Sequence, residues 1–310
     1  EEALATFKKL GQEDYIATCL NNIGQVNCSW GQYDRAIEYY EEALEIDKRL
    51  EMEAGVARDL NNIGLVYYSW GQYDKALKYY EEALAIDKRL GREADVAIRL
   101  NNIGTVYHAW GQYDNALKYY EKTLAIVEKL RQEGSIGSSL NNIGMVYHFW
   151  GKYDKAIKHF KEALVIASKL GQEADVAIRL NNIGGVYYFW GKYDKAIKYF
   201  EEALDTFKKL GMEGSVAAVF GNIGEAYYLQ GEYKTAIKFL MDSISIKEEL
   251  RKTATGDIRR DYLASQLGTY QWLTSAYIRD SNFPSAFQVI ELSRAKLLAE
   301  RLARDESEVK

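Results

Sequence analysis

Residues 97–136 read AIRLNNIGTVYHAWGQYDNALKYYEKTLAIVEKLRQEGSI, and close variants of this stretch fill most of the 310-residue chain. The string NNIG stands at 21–24, 61–64, 101–104, 141–144 and 181–184, and GNIG stands at 221–224. The interval is therefore 40 residues each time. Self-similarity at a fixed period of this length is typical of a solenoid, in which each repeat packs only on its neighbours.

Each 40-residue repeat contains two helical patterns. In the first pattern, apolar and small residues fall on one helix face at Leu100, Ile103, Gly104 and Tyr107. In the second pattern, the helical spacing continues through Tyr113, Ala116, Tyr120, Leu124 and Val127. Trp-Gly ends the first pattern, and Leu-Gly ends the second in several repeats, because glycine adopts the left-handed conformation that closes a helix. Each repeat is thus predicted to be a helical hairpin.

The composition agrees with a helical chain. It contains one proline, Pro284, where about 15 are usual for this length. The formal net charge is −5, and 27% of the residues are charged. These values exclude a disordered chain and a strongly basic nucleic-acid-binding protein. Two cysteines form no disulfide framework, and neither a signal peptide nor an apolar run of membrane-spanning length is present. We therefore expect a cytoplasmic protein that contacts neither membrane nor nucleic acid.

The repeat resembles a known family at specific residues. Ile103-Gly104-x-x-Tyr107 followed by Ala116-x-x-x-Tyr120 is similar to the tetratricopeptide (TPR) signature. The 40-residue length is similar to the repeats of kinesin light chains, the Leu-Gly-Asn spindle adaptors and bacterial Rap regulators. The resemblance implies an all-α fold, a right-handed superhelical α-solenoid of TPR helix-turn-helix hairpins.

The repeats predict three parts of the chain. They are a partial leading repeat with only a second helix at 1–16, six repeats at 17–256, and a divergent seventh repeat with a C-terminal capping or linker helix at 257–310. Residues 1–10 match 201–210 in all but one position, so we expect the chain to begin inside a second helix and to be a fragment. The apolar face of that helix, Leu4, Phe7 and Leu10, suggests self-association.

The C-terminal segment carries a second resemblance. Residues 290–305, IELSRAKLLAERLARD, resemble the Glu-x-Ser-Arg-Ala-x-x-Leu-Leu segment that joins TPR arrays to caspase-like CHAT domains. The matching residues are Glu291, Ser293, Arg294, Ala295, Leu297 and Leu298. No catalytic histidine or cysteine of a CHAT domain has a counterpart in this chain. The resemblance therefore implies the sensor or scaffold region of a TPR-CHAT protein.

The candidate ligand surface lies on the first helix of each hairpin. We number positions within a repeat from 1, with the repeats opening at Ala17, Ala57, Ala97, Gly137, Ala177 and Ala217. Positions 2, 6, 9 and 13 share one helix face nearly opposite the buried one, so they should face the concave groove. Position 6 is asparagine in all six repeats: Asn22, Asn62, Asn102, Asn142, Asn182 and Asn222.

Asparagine has a low helix propensity, so we expect its recurrence at position 6 to be compensated by a favourable interaction. A side-chain amide both donates and accepts hydrogen bonds, as a peptide backbone does. The resemblance implies the same use, because peptide-binding TPR proteins place asparagines there. The alternative is that these amides only bond neighbouring helices. For the asparagines at position 5 we favour that structural role, since they are rotated toward the preceding repeat.

Positions 2, 9 and 13 differ among repeats and are predicted to read ligand side chains. The residues selected as ligand-binding are Arg58, Leu65, Met145, Phe149, Ile178 and Phe189. They predict a ligand with apolar anchors near the two phenylalanines and a polar part toward Arg58. The alternative is that the phenylalanines cover the adjacent tryptophans, which we assign to packing between hairpins.

The sequence thus predicts a module that binds a peptide or protein partner and is not an enzyme. No phosphate-binding loop, nucleophile motif or metal-ligand cluster stands out, and His108 with His148 lacks a third zinc ligand. We therefore expect no cofactor and no metal. The alternatives to the TPR-CHAT scaffold are an adaptor, the sensor arm of a nucleotide-dependent (STAND-type) signalling protein, and a Rap-like regulator that captures partner helices.

Overall fold

The computed structural model describes the backbone of residues 2–253 and 256–308, and side chains in these ranges except at 253–266, 297 and 299–308. Within them every element of regular structure is an α-helix, and the predicted helical patterns of the repeats correspond to helices. The all-α solenoid of TPR hairpins is thereby confirmed. The predicted boundaries of the three parts at 16/17 and 256/257 stay predictions, and Thr255, next to the second boundary, lies outside the described residues.

The chain divides into two compact units, Glu1–Lys152 and Tyr153–Lys310. The first contains α1 (Glu2–Leu10), α2 (Glu13–Ser29), α3 (Tyr33–Arg49), α4 (Glu53–Ser69), α5 (Tyr73–Arg89), α6 (Glu93–Ala109), α7 (Tyr113–Lys129) and α8 (Glu133–Phe149). The second contains α9 (Tyr153–Lys169), α10 (Glu173–Phe189), α11 (Tyr193–Lys209), α12 (Glu213–Gln230), α13 (Tyr233–Thr253), α14 (Gly256–Arg279) and α15 (Phe283–Glu308).

Successive helices pack on one another in both units. In the first unit the hairpins are α2 with α3, α4 with α5 and α6 with α7, and α3, α5 and α7 also pack on the next first helix. In the second unit the hairpins are α10 with α11, α12 with α13 and α14 with α15. Since each helix buries apolar residues against both the helix before it and the helix after it, the hydrophobic core is continuous within a unit.

The predicted Trp-Gly pair ends the first helix in the first five repeats, and Gln230-Gly231 takes its place in the sixth. Gly111 has a φ of 75°, a left-handed conformation that glycine adopts without a steric penalty. Its N–H donates to the carbonyl of His108, and the N–H of Gln112 donates to that of Tyr107 at 2.8 Å. These two bonds form a Schellman motif, which satisfies the last carbonyls of α6.

A glycine inside the first helix allows close contact with an aromatic or leucine side chain of the second helix at Gly24, Gly64, Gly104, Gly184 and Gly224. A Cβ atom placed on Gly104 would lie 2.9 Å from the ring of Tyr120, and one on Gly184 would lie 2.6 Å from the ring of Phe200. Both rings are almost fully buried. The glycine is therefore required by packing.

The neighbouring glycines Gly184 and Gly185 give a matched test of this packing. We expect Gly184→Ala to lower the free energy of unfolding by about 1–3 kcal/mol, because its methyl group overpacks the contact with Phe200. A Cβ atom on Gly185 would meet no atom within 4 Å, so Gly185→Ala should raise the stability by about 0.5–1 kcal/mol through helix propensity. Urea denaturation measures both, and equal effects of the two substitutions would contradict the assignment.

Candidate functional site

Positions 2, 9 and 13 of the first helices form a solvent-facing surface in each compact unit, which we call the first-helix stripe. Every residue at positions 2 and 13 is exposed in the six repeats. In the first unit Leu65 is 45% exposed, and Phe149 is 57% exposed. In the second unit Phe189 is 63% exposed. Met145 is half-buried, and Ile178 is exposed.

Ile98 belongs to the same surface but was not selected from the sequence. It occupies position 2 of the third repeat and is 50% exposed. The signal that could have found it is its position: a large apolar residue on a helix face that is otherwise turned to solvent. Exposed large apolar residues on a shared face are typical of interaction surfaces. In the first unit the stripe therefore presents Leu65, Ile98 and Phe149.

The position-6 asparagines are joined to the preceding repeat by a series of hydrogen bonds, which we call the amide ladder. In the first unit, Asn62 Nδ2 donates to Asn21 Oδ1 at 2.8 Å, Asn102 to Asn61 at 2.8 Å, and Asn142 to Asn101 at 2.9 Å. In the second unit, Asn222 donates to Asn181 at 3.3 Å. One N–H of each of these amides therefore serves contacts between neighbouring helices, as the alternative interpretation stated.

The amide ladder leaves part of the side-chain amides of Asn62, Asn102 and Asn142 available. A primary amide has two N–H donors and a carbonyl acceptor, and the ladder uses one donor. The Oδ1 atoms of Asn62, Asn102 and Asn142 accept no hydrogen bond from the described part of the chain. These side chains are half-buried, whereas Asn22 is exposed. The ladder thus fixes the orientation of the amides without exhausting their hydrogen-bonding capacity.

The position-5 asparagines have the structural role that was predicted, but the predicted direction is wrong. Asn21 is buried, and its Oδ1 accepts from Asn62 of the following repeat. Its Nδ2 donates to Asp59 Oδ1 of the following repeat at 2.9 Å and to Ala17 of its own helix. Position 5 therefore faces the following repeat, because the first helices are rotated so that positions 5 and 6 of successive repeats meet.

Arg58, selected as a ligand-binding residue, bonds two buried carboxylates in the first unit. Its Nη2 lies 3.0 Å from Asp47 Oδ2, and its Nε lies 3.1 Å from Asp59 Oδ1. Asp47 and Asp59 are 1% and 0% exposed, while the Arg58 side chain is 45% exposed. The guanidinium charge is thus engaged within the chain, and one edge of the side chain still faces solvent.

Burial dominates the electrostatics of this carboxylate pair. It raises the pKa of Asp59 to about 6, although the hydrogen bond from Asn21 and the charge of Arg58 act in the opposite direction. Burial also raises the pKa of Asp47, again opposed by Arg58. The Oδ2 atom of Asp59 is buried without a hydrogen-bond partner. Protonation of Asp59 therefore removes one of the two negative charges that face Arg58.

Phe149 is flanked by the two histidines of the third and fourth repeats. Its ring centroid lies 5.2 Å from that of His108 and 5.1 Å from that of His148. Burial lowers the pKa of both histidines, so both imidazoles are neutral near pH 7. The ring is therefore supported on polar aromatic side chains that carry no charge at that pH, and more than half of it stays accessible to a ligand.

The tryptophans pack between successive hairpins, as predicted. This holds for Trp70, Trp110, Trp150 and Trp190, whose rings each lie beside a tyrosine of the preceding repeat, whereas Trp30 is 62% exposed. The centroid distances are 5.7 Å for Tyr33 with Trp70, 5.9 Å for Tyr73 with Trp110, 6.0 Å for Tyr113 with Trp150 and 5.8 Å for Tyr153 with Trp190.

Helices able to cross a lipid bilayer are absent from the described residues, because none combines the needed length with an apolar composition.

The geometry agrees with comparisons to known proteins. The profile of the tetratricopeptide repeat family matches residues 1–49, 55–129, 135–209 and 175–249. None of the curated protein sequences matches the chain.

Three solved structures illustrate the shared fold. BtubC (BKLC) from P. vanneervenii is 21% identical with a TM-score of 0.65, covering 74% of this chain and 92% of its own. A STAND protein with a tetratricopeptide repeat sensor from Pyrococcus horikoshii is 17% identical with a TM-score of 0.67, covering 99% of this chain and 45% of its own. A Rap protein complexed with Competence and Sporulation Factor is 17% identical with a TM-score of 0.54, covering 93% of this chain and 99% of its own.

Asp59 gives a pH-dependent test of the buried carboxylate pair. Its folded pKa of about 6 exceeds the ordinary value of 3.8, so its ionisation destabilises the folded state increasingly as pH rises from 3.8 to about 6. Asp59→Asn removes this titration and keeps an acceptor for Asn21 and Arg58. We expect the variant to be more stable than the wild type by about 1–3 kcal/mol at pH 7.5, with the difference shrinking toward pH 4.

Urea denaturation at both pH values measures the difference in the free energy of unfolding. The matched control is Asp114→Asn, an exposed aspartate at a different place in the repeat, which should leave stability nearly unchanged at both values. A difference for Asp59→Asn that is the same at pH 4 and pH 7.5 would contradict the raised pKa.

Proposed function

The chain belongs to the tetratricopeptide repeat family, and from this premise we propose that it binds a peptide or protein segment along its first-helix stripe. The proposal rests on one observation: in the first compact unit, large apolar side chains are exposed on the same helix faces as amides that keep unused hydrogen-bonding groups. Leu65, Ile98 and Phe149 provide the apolar contacts. We assign the residues of the stripe to binding and none of them to chemistry.

The amide ladder suits a ligand in an extended conformation. Neighbouring packed helices lie roughly 9–10 Å apart, and an extended chain rises about 3.3 Å per residue. Successive position-6 amides would therefore meet the ligand backbone at about every third residue. Because the preceding repeat already holds each amide, little side-chain entropy is lost when the ligand binds. The amides would supply affinity independent of sequence, and positions 2, 9 and 13 would select side chains.

The second unit presents a related surface. Ile178 is 37% exposed, Phe189 is 63% exposed and Leu229 is 40% exposed, all on the first-helix stripe. Glu225, at position 9 of the sixth repeat, accepts a hydrogen bond from the Tyr188 hydroxyl at 3.2 Å. Its carboxylate is thereby held within the chain. We propose that this unit contributes apolar anchors, with Phe189 the most exposed.

The leading proposal for the wider role is the sensor or scaffold region of a TPR-CHAT protein. Its structural support is the attachment of the CHAT-like segment in α15 to α14 of the same hairpin and to α13 of the preceding one. Lys296 donates to the Tyr270 hydroxyl at 2.7 Å and forms an ion pair with Glu248. A helix held in this way would transmit a displacement of the last hairpin. The side chains of Leu297 and of residues 299–305 lie outside the described residues.

Two other roles have support from the comparisons. The STAND protein has, by its description, a TPR sensor, which favours a sensor arm without a peptidase. The Rap protein is described in complex with Competence and Sporulation Factor, which favours a regulator. A histidine and cysteine pair encoded downstream in the natural gene would support the TPR-CHAT role over the other two. A large contraction on ligand binding in solution scattering would favour the Rap-like role.

Peptide selection tests the binding proposal directly. We would select binders from random peptides displayed on phage, and measure their dissociation constants by isothermal titration. We expect Phe149→Ala to weaken binding at least tenfold, as for a central aromatic anchor, with a melting temperature within a few degrees of the wild type. We expect Asn102→Ala with Asn142→Ala to weaken binding by a similar factor across peptides of unrelated sequence.

The controls keep loss of binding separate from loss of structure. Val165→Ala removes an exposed apolar side chain outside the stripe, and Asn115→Ala removes an exposed amide that donates only to Gln112. Both should leave the dissociation constants unchanged. Selected peptides that bind the Phe149 and asparagine variants as tightly as the wild type would refute binding along the stripe.

Self-association through α1 stays a prediction, and the apolar surface that α1 exposes for it is smaller than the sequence suggested. Leu4 and Phe7 pack on the core of the first unit, and Leu10 is 63% exposed. If α1 mediates association, sedimentation equilibrium should show an average mass that rises with concentration, and Leu10→Lys should abolish the rise. A single monomeric mass over a wide concentration range would contradict it.

A further inference from the structure

The tryptophans at the repeat edges form aromatic cages, and two of these cages already hold a cation. In the second unit, the ring of Trp190 lies 5.8 Å from that of Tyr153 and 6.2 Å from that of Tyr187. The Nζ atom of Lys192 lies 3.1 Å from the indole centroid. In the first unit, Lys152 lies in the same way over Trp150 at 3.0 Å. A lysine two residues after the tryptophan thus completes a cation–π contact.

The cage around Trp70 has the same aromatic geometry without the cation. Its ring lies 5.7 Å from that of Tyr33 with an interplanar angle of 33°, against 5.8 Å and 36° for the equivalent Tyr153–Trp190 pair. Tyr67 is stacked on it at 6.4 Å and 8°. The residue two positions later is Gln72. No cation of the described residues lies over the Trp70 ring, which is 39% exposed.

The third repeat shares the pair between successive repeats and the glutamine. Trp110 lies 5.9 Å from Tyr73, is followed two residues later by Gln112, and is 40% exposed. Trp150 and Trp190, which lie beside their lysines, are half-buried and thus less exposed than Trp70 and Trp110. The tyrosine–tryptophan pair between successive repeats is thus constant from the second to the fifth repeat, while the lysine over the indole is present in the fourth and fifth repeats and replaced by glutamine in the second and third.

Carboxylates stand beside the cages. In the sixth repeat glutamine replaces tryptophan, and Gln230 donates to Asp194 of the preceding repeat at 2.6 Å. A side chain in the place of the tryptophan therefore reaches this aspartate. The equivalents, at intervals of 40 residues, are Asp34 for Trp70 and Asp74 for Trp110. Asp114 with Trp150 likewise lines one surface recess in the first unit.

The charge around Trp70 supports a cationic ligand. Burial raises the pKa of Tyr67, and the nearby carboxylates of Glu41 and Asp34 raise it further, which shows a negative potential at this cage. Lys75 lies 5.0 Å from the Tyr67 ring, as Lys195 lies 5.5 Å from Tyr187. The cage of Trp190 holds Lys192 over the indole and also Lys195 over the tyrosine. Lys75, the equivalent of Lys195, therefore leaves room for a cation over the indole of Trp70.

We propose that Trp70 and Trp110 are receptor sites for lysine or arginine side chains of a basic segment of a partner protein. The lysines of the fourth and fifth repeats show the bound arrangement with side chains of the chain itself. The two open cages belong to successive repeats, so their cations would be about three residues apart in an extended partner segment. The proposal uses residues other than those of the first-helix stripe and does not depend on ligand binding there.

The test uses the full chain and decalysine as the probe, with the six indole N–H signals followed by nuclear magnetic resonance. We expect decalysine to shift the signals of Trp70 and Trp110 and to leave those of Trp150 and Trp190 in place. Fully acetylated decalysine should shift none, because it lacks the cations. In the variant Gln72→Lys with Gln112→Lys, internal lysines fill both cages, and decalysine should bind at least fivefold more weakly.

Two further variants make the test decisive. Gln12→Lys with Gln132→Lys adds the same charge at exposed turn positions outside the cages, and should weaken binding by less than twofold. Lys152→Gln with Lys192→Gln opens the other two cages, and should make Trp150 and Trp190 respond to decalysine. Uniform shifts of all four indoles, or equal weakening by both pairs of added lysines, would overturn the proposal in favour of general electrostatic attraction. Responses to a tetramethylammonium ion but not to decalysine would assign the cages to a small cation and would also overturn it.

Discussion

The contact between a glycine of the first helix and a bulky side chain of the second controls the architecture of each hairpin. At Gly64, Gly104 and Gly184 an added Cβ would lie 2.6–2.9 Å from the ring that packs there. With the two helices this close, the rings of Tyr80, Tyr120 and Phe200 are almost fully buried. The opposite face of the first helix is then turned to solvent. Both the first-helix stripe and the amide ladder exist because this one contact fixes the rotation of the first helix.

Much of this arrangement could be predicted from the sequence, because it repeats. Trp-Gly marked the hairpin turn, and Gly111 takes the left-handed conformation that a turn requires. The face of the stripe followed from helical spacing alone. The polar contacts were less accessible. The sequence offered two roles for the position-6 asparagines, and the structure shows one N–H in the structural role while the remaining groups stay open. The direction of the position-5 asparagines depended on the rotation between successive hairpins, which spacing within one helix does not encode.

Arg58 shows why features of a single repeat are harder to predict. Its partner Asp47 recurs only as Asp87, and Asp59 has no acidic counterpart at position 3 of the other repeats. A pattern that averages over repeats therefore treats Arg58 as a free groove residue. Its contacts come from the end of the previous helix and from its own sequence neighbour, which meet only after the hairpins stack. The same holds for Lys152 and Lys192. Their positions two residues after a tryptophan can be read from the sequence, but their contact with the indole ring depends on the fold.

The division between constant and variable positions separates scaffold from recognition in both candidate surfaces. The cages of Trp70 and Trp190 share their tyrosine geometry to within a few tenths of an ångström, so the difference between Gln72 and Lys192 changes occupancy and not architecture. The amide ladder is constant in the same sense, while Leu65, Met145 and Gly185 vary beside it. A solenoid permits this because each repeat contacts only its neighbours, so one position can change without disturbing packing elsewhere. Variation at positions 2, 9 and 13 beside a constant amide ladder, and at the residue two positions after a constant tryptophan, is therefore the physical basis for assigning these surfaces to binding.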